Sequence, residues 1–386
     1  MQFEFSTASS IVFGQGTIRT LPGRVSGWGR RSLVITGSTS DRAAMLIDGL
    51  HNTGVSTALF KVSVEPTTEI IAEGATLARI EECDMVIAVG GGSVIDTGKA
   101  VSALMNNPGD ICDYLEVIGR ARDIVYPCAP FVAVPTTAGS GTEVTRNAVI
   151  ISREHNLKVS VRSARLLPRL VIVDPELTYS LPHPVTAHTG LDAFTQLLEA
   201  FVSIRANPLT DGLCREGLVR AARSLFRAFV DGTDVNARED MALASLLSGL
   251  ALANAGLGAV HGLAAVLGGR FTIPHGLICA RLLPFVVEAN INALKSRAHP
   301  SSRAGERYDE VATLITGNPR ATAQDGITWI CELCSRLNIP SLKGFSLHRE
   351  DFPAIVHQAA QATSMKGNPV KLTRDELIEI LVKAVS

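Results

Sequence analysis

The stretch DMVIAVGGGSVIDTGKA, residues 84–100, decides how the first half of this chain folds. Its apolar run from Met85 to Val89 reads as a buried strand, three glycines turn the chain, and a helical pattern follows to Ala100. A strand that passes through glycines into a helix lets backbone N–H groups approach an anion, and the helix N-terminus adds about half a positive charge there. Phosphate binding is the natural use, although a tight βα turn alone asks for the same glycines. The order of residues is neither G-x-G-x-x-G nor a run ending in G-K-[ST], so neither a Rossmann nor a P-loop fingerprint applies.

Outward from this stretch, short β-branched runs alternate with helical patterns. SLVITG (32–37), ALFKV (58–62), PFVAVPTT (130–137) and LVIVDP (170–175) read as further strands, with helices predicted over Arg42–Thr53 and Thr68–Glu82. Such alternation predicts a parallel sheet with helices on both faces. NAVIIS (147–152) and NLKVSVRS (156–163) read as a hairpin. After LTYSLPHP no strand-like run appears and amphipathic patterns continue to the C-terminus, with helix starts marked by Asn207-Pro208, Asp234 and Thr373. The expected organisation is an α/β dinucleotide-binding domain over 1–181 and an all-α domain over 182–386. The 386 residues fit two domains at roughly 100–200 residues each. The cleft between two such domains is the default ligand site.

Composition removes other classes. Lys plus Arg number 36 and Asp plus Glu 37, a net charge of −1 with no block of one sign, so a nucleic-acid partner is not expected. With 46% apolar and 19% charged residues, the chain is dry but far from the composition of disordered proteins. Met241–Gly269 carries no formal charge and is long enough to span a bilayer. It also contains Ser245, Ser248, Asn254, His261 and many glycines, without aromatic belts, and is read as a pair of buried core helices; no membrane partner is expected. The N-terminal MQFEFSTASS lacks the basic and apolar regions of a signal peptide. Seven scattered cysteines fit reduced thiols in the cytoplasm. Cys331 and Cys334 form a C-x-x-C inside an apolar helical pattern and have no second pair to complete a zinc site.

Two further segments carry chemistry. PTTAGSGTEVT (135–145) follows another apolar strand, and its hydroxyls and glycines suit ribose and phosphate contacts, though a polar surface loop has a similar composition. Together with the glycine turn after Val89, it points to one dinucleotide at the carboxyl edge of a single sheet. TGLDAFTQLLEAFVS (189–203) places Asp192 and Gln196 at i and i+4 on one helix face, and His261 and His275 lie further on. A carboxylate and two imidazoles suit a divalent metal, to which Gln196 would add a weaker amide oxygen. A single histidine is more often structural; two on either side of a glycine-rich, largely apolar segment each need a partner.

With these motifs in this order, the chain resembles the iron-containing (group III) alcohol dehydrogenase family, whose architecture is shared with glycerol dehydrogenase and dehydroquinate synthase. The resemblance runs from FSTASSIVFGQG (5–16) through GGGSVIDTGKA, PTTAGSGTEVT, IVDPELTYSLP (172–182) and GLDAFTQLLEAFVS to HGLAAVLGGRFTIPHG (261–276) and NPVKLTRDEL (368–377). It implies a nicotinamide cofactor, with Gly91, Gly92, Ser93 and Asp96 at the pyrophosphate, Thr136, Thr137 and Ser140 around the nicotinamide half, and Lys158 nearby. It also implies a metal held by one Asp and three His. Asp192, His261 and His275 match, whereas Gln196 stands at the second position, and Ala265 stands where a further histidine is implicated in catalysis. The similar maleylacetate reductases work without a metal.

NAD-preferring relatives place an Asp at the position of Gly37, where it accepts from the ribose and repels a 2′-phosphate. Gly37, Ser38, Thr39 and Ser40 with Arg42 remove that charge and offer hydroxyl and cationic partners, so NADP(H) is expected over NAD(H). The resemblance thus implies a cytoplasmic alcohol dehydrogenase or aldehyde and ketone reductase of dimeric or larger assembly. It acts on a small alcohol or carbonyl, with a divalent Fe or Zn polarising the oxygen, or with protonated His261 or His275 doing so. The alternatives are a metal-independent reductase of the maleylacetate type, a lyase of the dehydroquinate synthase type, and a nucleotide-binding protein without turnover.

Overall fold

The computed structural model describes residues 2–37, 41–155, 157–297 and 303–386. Its contacts divide the chain into two units: Ser6–Ser180, and Leu181–Ser386 joined by the N-terminal residues up to Phe5.

The first unit is built on the strands β1 (Ile11–Phe13), β2 (Arg31–Thr36), β3 (Ser56–Lys61), β4 (Met85–Gly90), β5 (Phe131–Pro135), β6 (Asn147–Ser152), β7 (Leu157–Arg162) and β8 (Leu170–Val173), with helices α1 (Leu21–Val25), α2 (Asp41–Asn52), α3 (Thr68–Ile80) and α4 (Gly92–Asn106). Six strands form one sheet in the order β1-β8-β5-β4-β2-β3, every pair parallel. β6 and β7 form the expected antiparallel hairpin apart from it. β1 was not expected from the sequence; at three residues it exists only through its ladder with β8. All six residues of β4 are buried, as a central strand covered on both faces requires. One core packs α1 and α2 through Leu21, Val25, Leu46 and Leu50 against Val34, Ile87, Val132 and Ile172; another gathers α3, α4 and the hairpin around Ile71, Leu104, Ile150 and Val161.

The connection from β2 goes to β3 on one side, and β4 then takes up the other side of β2. The strand order therefore reverses between β2 and β4, and open α/β sheets bind ligands outside the carboxyl ends of such strands. Gly37 ends β2, and Gly91 follows β4 as the N-cap of α4.

The second unit is helical: α5 (His183–Val202), α6 (Pro208–Val230), α7 (Val235–Ala255), α8 (Ala259–Arg270), α9 (His275–Arg297), α10 (Ala304–Thr316), α11 (Ala323–Arg336), α12 (Phe352–Ala359) and α13 (Arg374–Val385). Its described residues contain no strand. The expected caps are in place: Asn207 accepts from Leu209 and Thr210, Asp234 from Ala237, and Thr373 from Glu376. The uncharged stretch is α7 and α8, which meet at 99° across Gly256-Leu257-Gly258, with Gly256 at φ 71°. α9 is also long and apolar enough to cross a membrane, but 72% of its most apolar window is buried inside the protein. The C-x-x-C pair lies on α11, and all seven cysteines are free thiols.

Gly98 sets how closely α4 lies on the sheet. A Cβ there would sit 2.6 Å from a ring carbon of Phe131 and 2.8 Å from the Cβ of Ala88. In an open helix Gly→Ala gains up to about 1 kcal/mol of helix propensity. Here overpacking, at roughly 1–3 kcal/mol, dominates. Gly98→Ala is expected to lower the urea midpoint with an unchanged slope; a raised midpoint would contradict this packing.

Candidate active site and metal centre

The carboxyl ends of β2, β4 and β5 are neighbours, so Gly37, Gly91–Ser93 and Thr136–Ser140 share one sheet edge. The first turn of α4 has no side-chain cap, which leaves its N–H groups for an anion. The β5 loop lies directly on this turn: the Thr136 N–H donates to the Gly90 carbonyl at 2.9 Å. A Cβ on Gly92 would come within 3.0 Å of Ser140 Oγ, and one on Gly91 within 3.4 Å of the Thr137 methyl. The two loops read separately from the sequence are thus one surface. Ser38 and Thr39 lie outside the described residues.

Asp96 and Lys99 hold this surface from below. Asp96 is buried; its Oδ1 accepts from Thr142 Oγ1 at 2.5 Å and its Oδ2 from the Val149 N–H at 3.2 Å. It is expected at the pyrophosphate; in the structure its two oxygens accept from Thr142 and Val149. The fully buried Lys99 donates to Thr142 Oγ1, Thr145 Oγ1 and the Asn147 carbonyl at 2.9, 2.8 and 2.7 Å, and faces Asp96 at 3.7 Å. Burial pushes its ammonium down to about 8 and the neighbouring Glu143 carboxyl up to about 7. Lys99 and Glu143 were not foreseen; both lie inside the quoted motifs. Lys158, on β7, pairs with Glu65 Oε1 at 2.7 Å.

In the helical unit, α5 presents Asp192, Gln196 and Glu199 at i, i+4 and i+7, all buried. α8 carries His261 in its first turn, and α9 opens with His275 and brings Cys279 one turn later. The buried carboxylate of Glu199 accepts twice at the start of α8: Oε1 from the Val260 N–H at 2.7 Å and Oε2 from His261 Nδ1 at 2.7 Å. A carboxylate only accepts, so Nδ1 carries a proton toward Glu199, and Nε2 faces the centre. Nε2 lies 3.2 Å from Asp192 Oδ1 and 3.7 Å from Cys279 Sγ. His275 Nε2 lies 3.6 Å from the same sulfur and 4.0 Å from Asp192 Oδ1. Ligand atoms of Asp192, His261, His275 and Cys279 all fall within 4.8 Å of one another.

Gln196, expected to offer an amide oxygen here, has that oxygen accepting from Ser248 Oγ on α7 at 2.7 Å. Cys279 was missed, although its place four residues after His275 on a helix puts the two on one face. Glu199 was missed as well. Ala265 lies one turn after His261 on α8.

The donor set fits a cation. Burial alone would lower the His261 imidazole, but Cys279, Asp192 and Glu199 around it outweigh that and hold it well above its usual range. Burial would raise Asp192, and the two histidines bring it below the usual carboxylate range. Burial keeps the Cys279 thiol up at about 12. Buried carboxylates beside imidazoles require positive charge among them, as protons or as a metal ion. Glu199→Gln keeps the size but leaves one acceptor oxygen for two N–H groups. It is expected to weaken Zn(II) binding roughly 10–100-fold in competition with a chelating dye, and unchanged affinity would show that His261 is oriented by something else.

Two family models cover the chain: "Iron-containing alcohol dehydrogenase" over residues 8–175, and "Fe-containing alcohol dehydrogenase family, C-terminal" over residues 186–385. Alcohol dehydrogenase 4 of Saccharomyces cerevisiae is 34% identical over 87% of this chain and 85% of its own length. A 1,3-propanediol dehydrogenase of Citrobacter freundii is 36% identical over 87% and 85%. A solved structure of 1,3-propanediol oxidoreductase superposes with a TM-score of 0.92 at 32% identity, covering 100% of both chains. The chain belongs to the iron-containing alcohol dehydrogenase family and is an oxidoreductase acting on alcohols.

Proposed function

We propose that the protein interconverts a small alcohol and its carbonyl with NADP(H) in preference to NAD(H), and that Asp192, His261 and His275 hold a divalent ion. The observation that carries the metal part is the buried meeting of these three side chains, each from a different helix, with Glu199 fixing one imidazole. When bound, the ion supplies Lewis-acid polarisation of the reacting oxygen. The chain's own residues perform the remaining tasks. Asp192 and Glu199 supply the negative charge that a cation requires, and Glu199 holds one proton of His261 on Nδ1, so that Nε2 is the nitrogen that would take the ion in exchange for its own proton. The uncapped first turn of α4, with Ser93, Thr137 and Ser140 beside it, would receive the pyrophosphate side of the cofactor, whose C4 hydride is the transferred group.

The named relatives are dehydrogenases, which favours redox turnover over a lyase of the dehydroquinate synthase type. Protein stripped with a chelator and assayed on short aldehydes with NADPH is expected to lose activity and regain it with Fe(II) or Zn(II). Full activity without metal would sink the Lewis-acid reading and leave an imidazole proton as the electrophile.

Cofactor choice is tested at the end of β2. Among the described residues a Cβ on Gly37 meets Val94 Cγ2 at 3.9 Å, an ordinary contact, so a side chain can start there without a clash. Gly37→Asp places a carboxylate where the 2′-phosphate is proposed to lie. A like-charge cost of about 3 kcal/mol corresponds to roughly 100-fold, so kcat/KM with NADPH should fall by that order while that with NADH holds or rises. Equal effects on both cofactors would place the 2′-phosphate elsewhere.

A further inference from the structure

We propose that Cys279 is the fourth ligand of this centre, so that the ion is held by a carboxylate, two imidazoles and a thiolate, and that this donor set selects zinc over iron. The inference rests on the reading that Asp192, His261 and His275 bind a divalent ion.

Geometry carries it. In a tetrahedral zinc site the metal–sulfur distance is about 2.3 Å and the metal–nitrogen distance about 2.0–2.1 Å, so S···N edges are about 3.6 Å and N···O edges about 3.4 Å. The sulfur of Cys279 lies 3.7 Å from His261 Nε2 and 3.6 Å from His275 Nε2. The corresponding N···O separations to Asp192 Oδ1 are 3.2 and 4.0 Å. Four of the six edges therefore lie within about 0.6 Å of the tetrahedral values. Cys279 is wholly buried, and a coordinating thiol gives up its proton to the ion's charge.

The chemistry of the other corner agrees. Gln196 directs its amide oxygen to Ser248, so α5 contributes one donor, Asp192, and the remaining donor comes from α9. Thiolate and imidazole in tetrahedral array suit zinc, whereas oxygen-rich sets suit harder ions.

The test uses the full-length protein, stripped with a chelator and refilled with Co(II) as a spectroscopic stand-in for zinc. Wild type is expected to bind one Co(II) per chain with a near-ultraviolet sulfur-to-cobalt charge-transfer band. Cys279→Ser should keep weaker visible d–d bands, lose the near-ultraviolet band and bind Co(II) at least roughly 10–100-fold less tightly. Gln196→Ala, checked for folding by circular dichroism, should keep the band. Stoichiometric Co(II) in wild type without the band overturns the role of Cys279 while leaving a metal on the other three residues. No Co(II) binding by wild type overturns the metal reading itself. Protein produced with iron and zinc at equal concentration should carry zinc; iron in its place overturns the selectivity.

Discussion

A single carboxylate organises the helical unit. Glu199 reaches from α5 to the start of α8, accepts the Val260 N–H with one oxygen and the His261 imidazole with the other, and so satisfies a helix terminus and orients a functional ring together. The start of α8 is one of the places where a helix exposes unpaired N–H groups and partial positive charge, so a buried anion is stabilised there. The Asn368 side chain accepts the neighbouring Ala259 N–H at 3.1 Å, completing the end. Both acceptors press so close on Gly258 that a Cβ would meet each at 2.8 Å. The glycines of the uncharged stretch thus let α7 break at 99° and let α8 dock its first turn on two buried polar groups.

The α/β unit solves a parallel problem with the opposite charge. Its two loops at the carboxyl edge of the sheet are flexible by composition, and a loop of Ser, Thr and Gly holds no shape unless something beneath it fixes one. Lys99 and Asp96, one turn apart on α4, pin Thr142, Thr145 and the first residues of β6 from inside. An ammonium with no exposure is tolerated because each of its three protons has an acceptor. Polar burial here shapes the edge of the sheet rather than adding net stability.

The parallel sheet was legible because strands buried on both faces read as continuous apolar runs, and the helical half because its caps are ordinary. β1 was not, since Ile11–Phe13 is indistinguishable from a loop until β8 lies beside it. At the candidate metal centre, Asp192, His261 and His275 announce themselves by residue type in apolar surroundings. Glu199 does not: a glutamate within a helix reads as a solvated face, and only the fold shows it 4% exposed. Asp96 was placed by the family resemblance, and Lys99 was passed over, because sequence alone does not show which charges meet each other beneath a loop. Cys279 hides in a different way, since a buried cysteine is usually a small apolar filler.

Gln196 and Cys279 are linked by the proposal that the sulfur is a ligand. Three helices fix the directions from which donors arrive: α5 brings Asp192, α8 brings His261, α9 brings His275. Each helix offers its next residue on the same face one turn away, so a fourth donor can come from Gln196 on α5, Ala265 on α8 or Cys279 on α9. An alanine has no donor atom, and the amide of Gln196 is engaged with Ser248, which leaves the sulfur. On that proposal the centre is closed by a thiolate, and the site is softer than one closed by an amide or carboxylate oxygen.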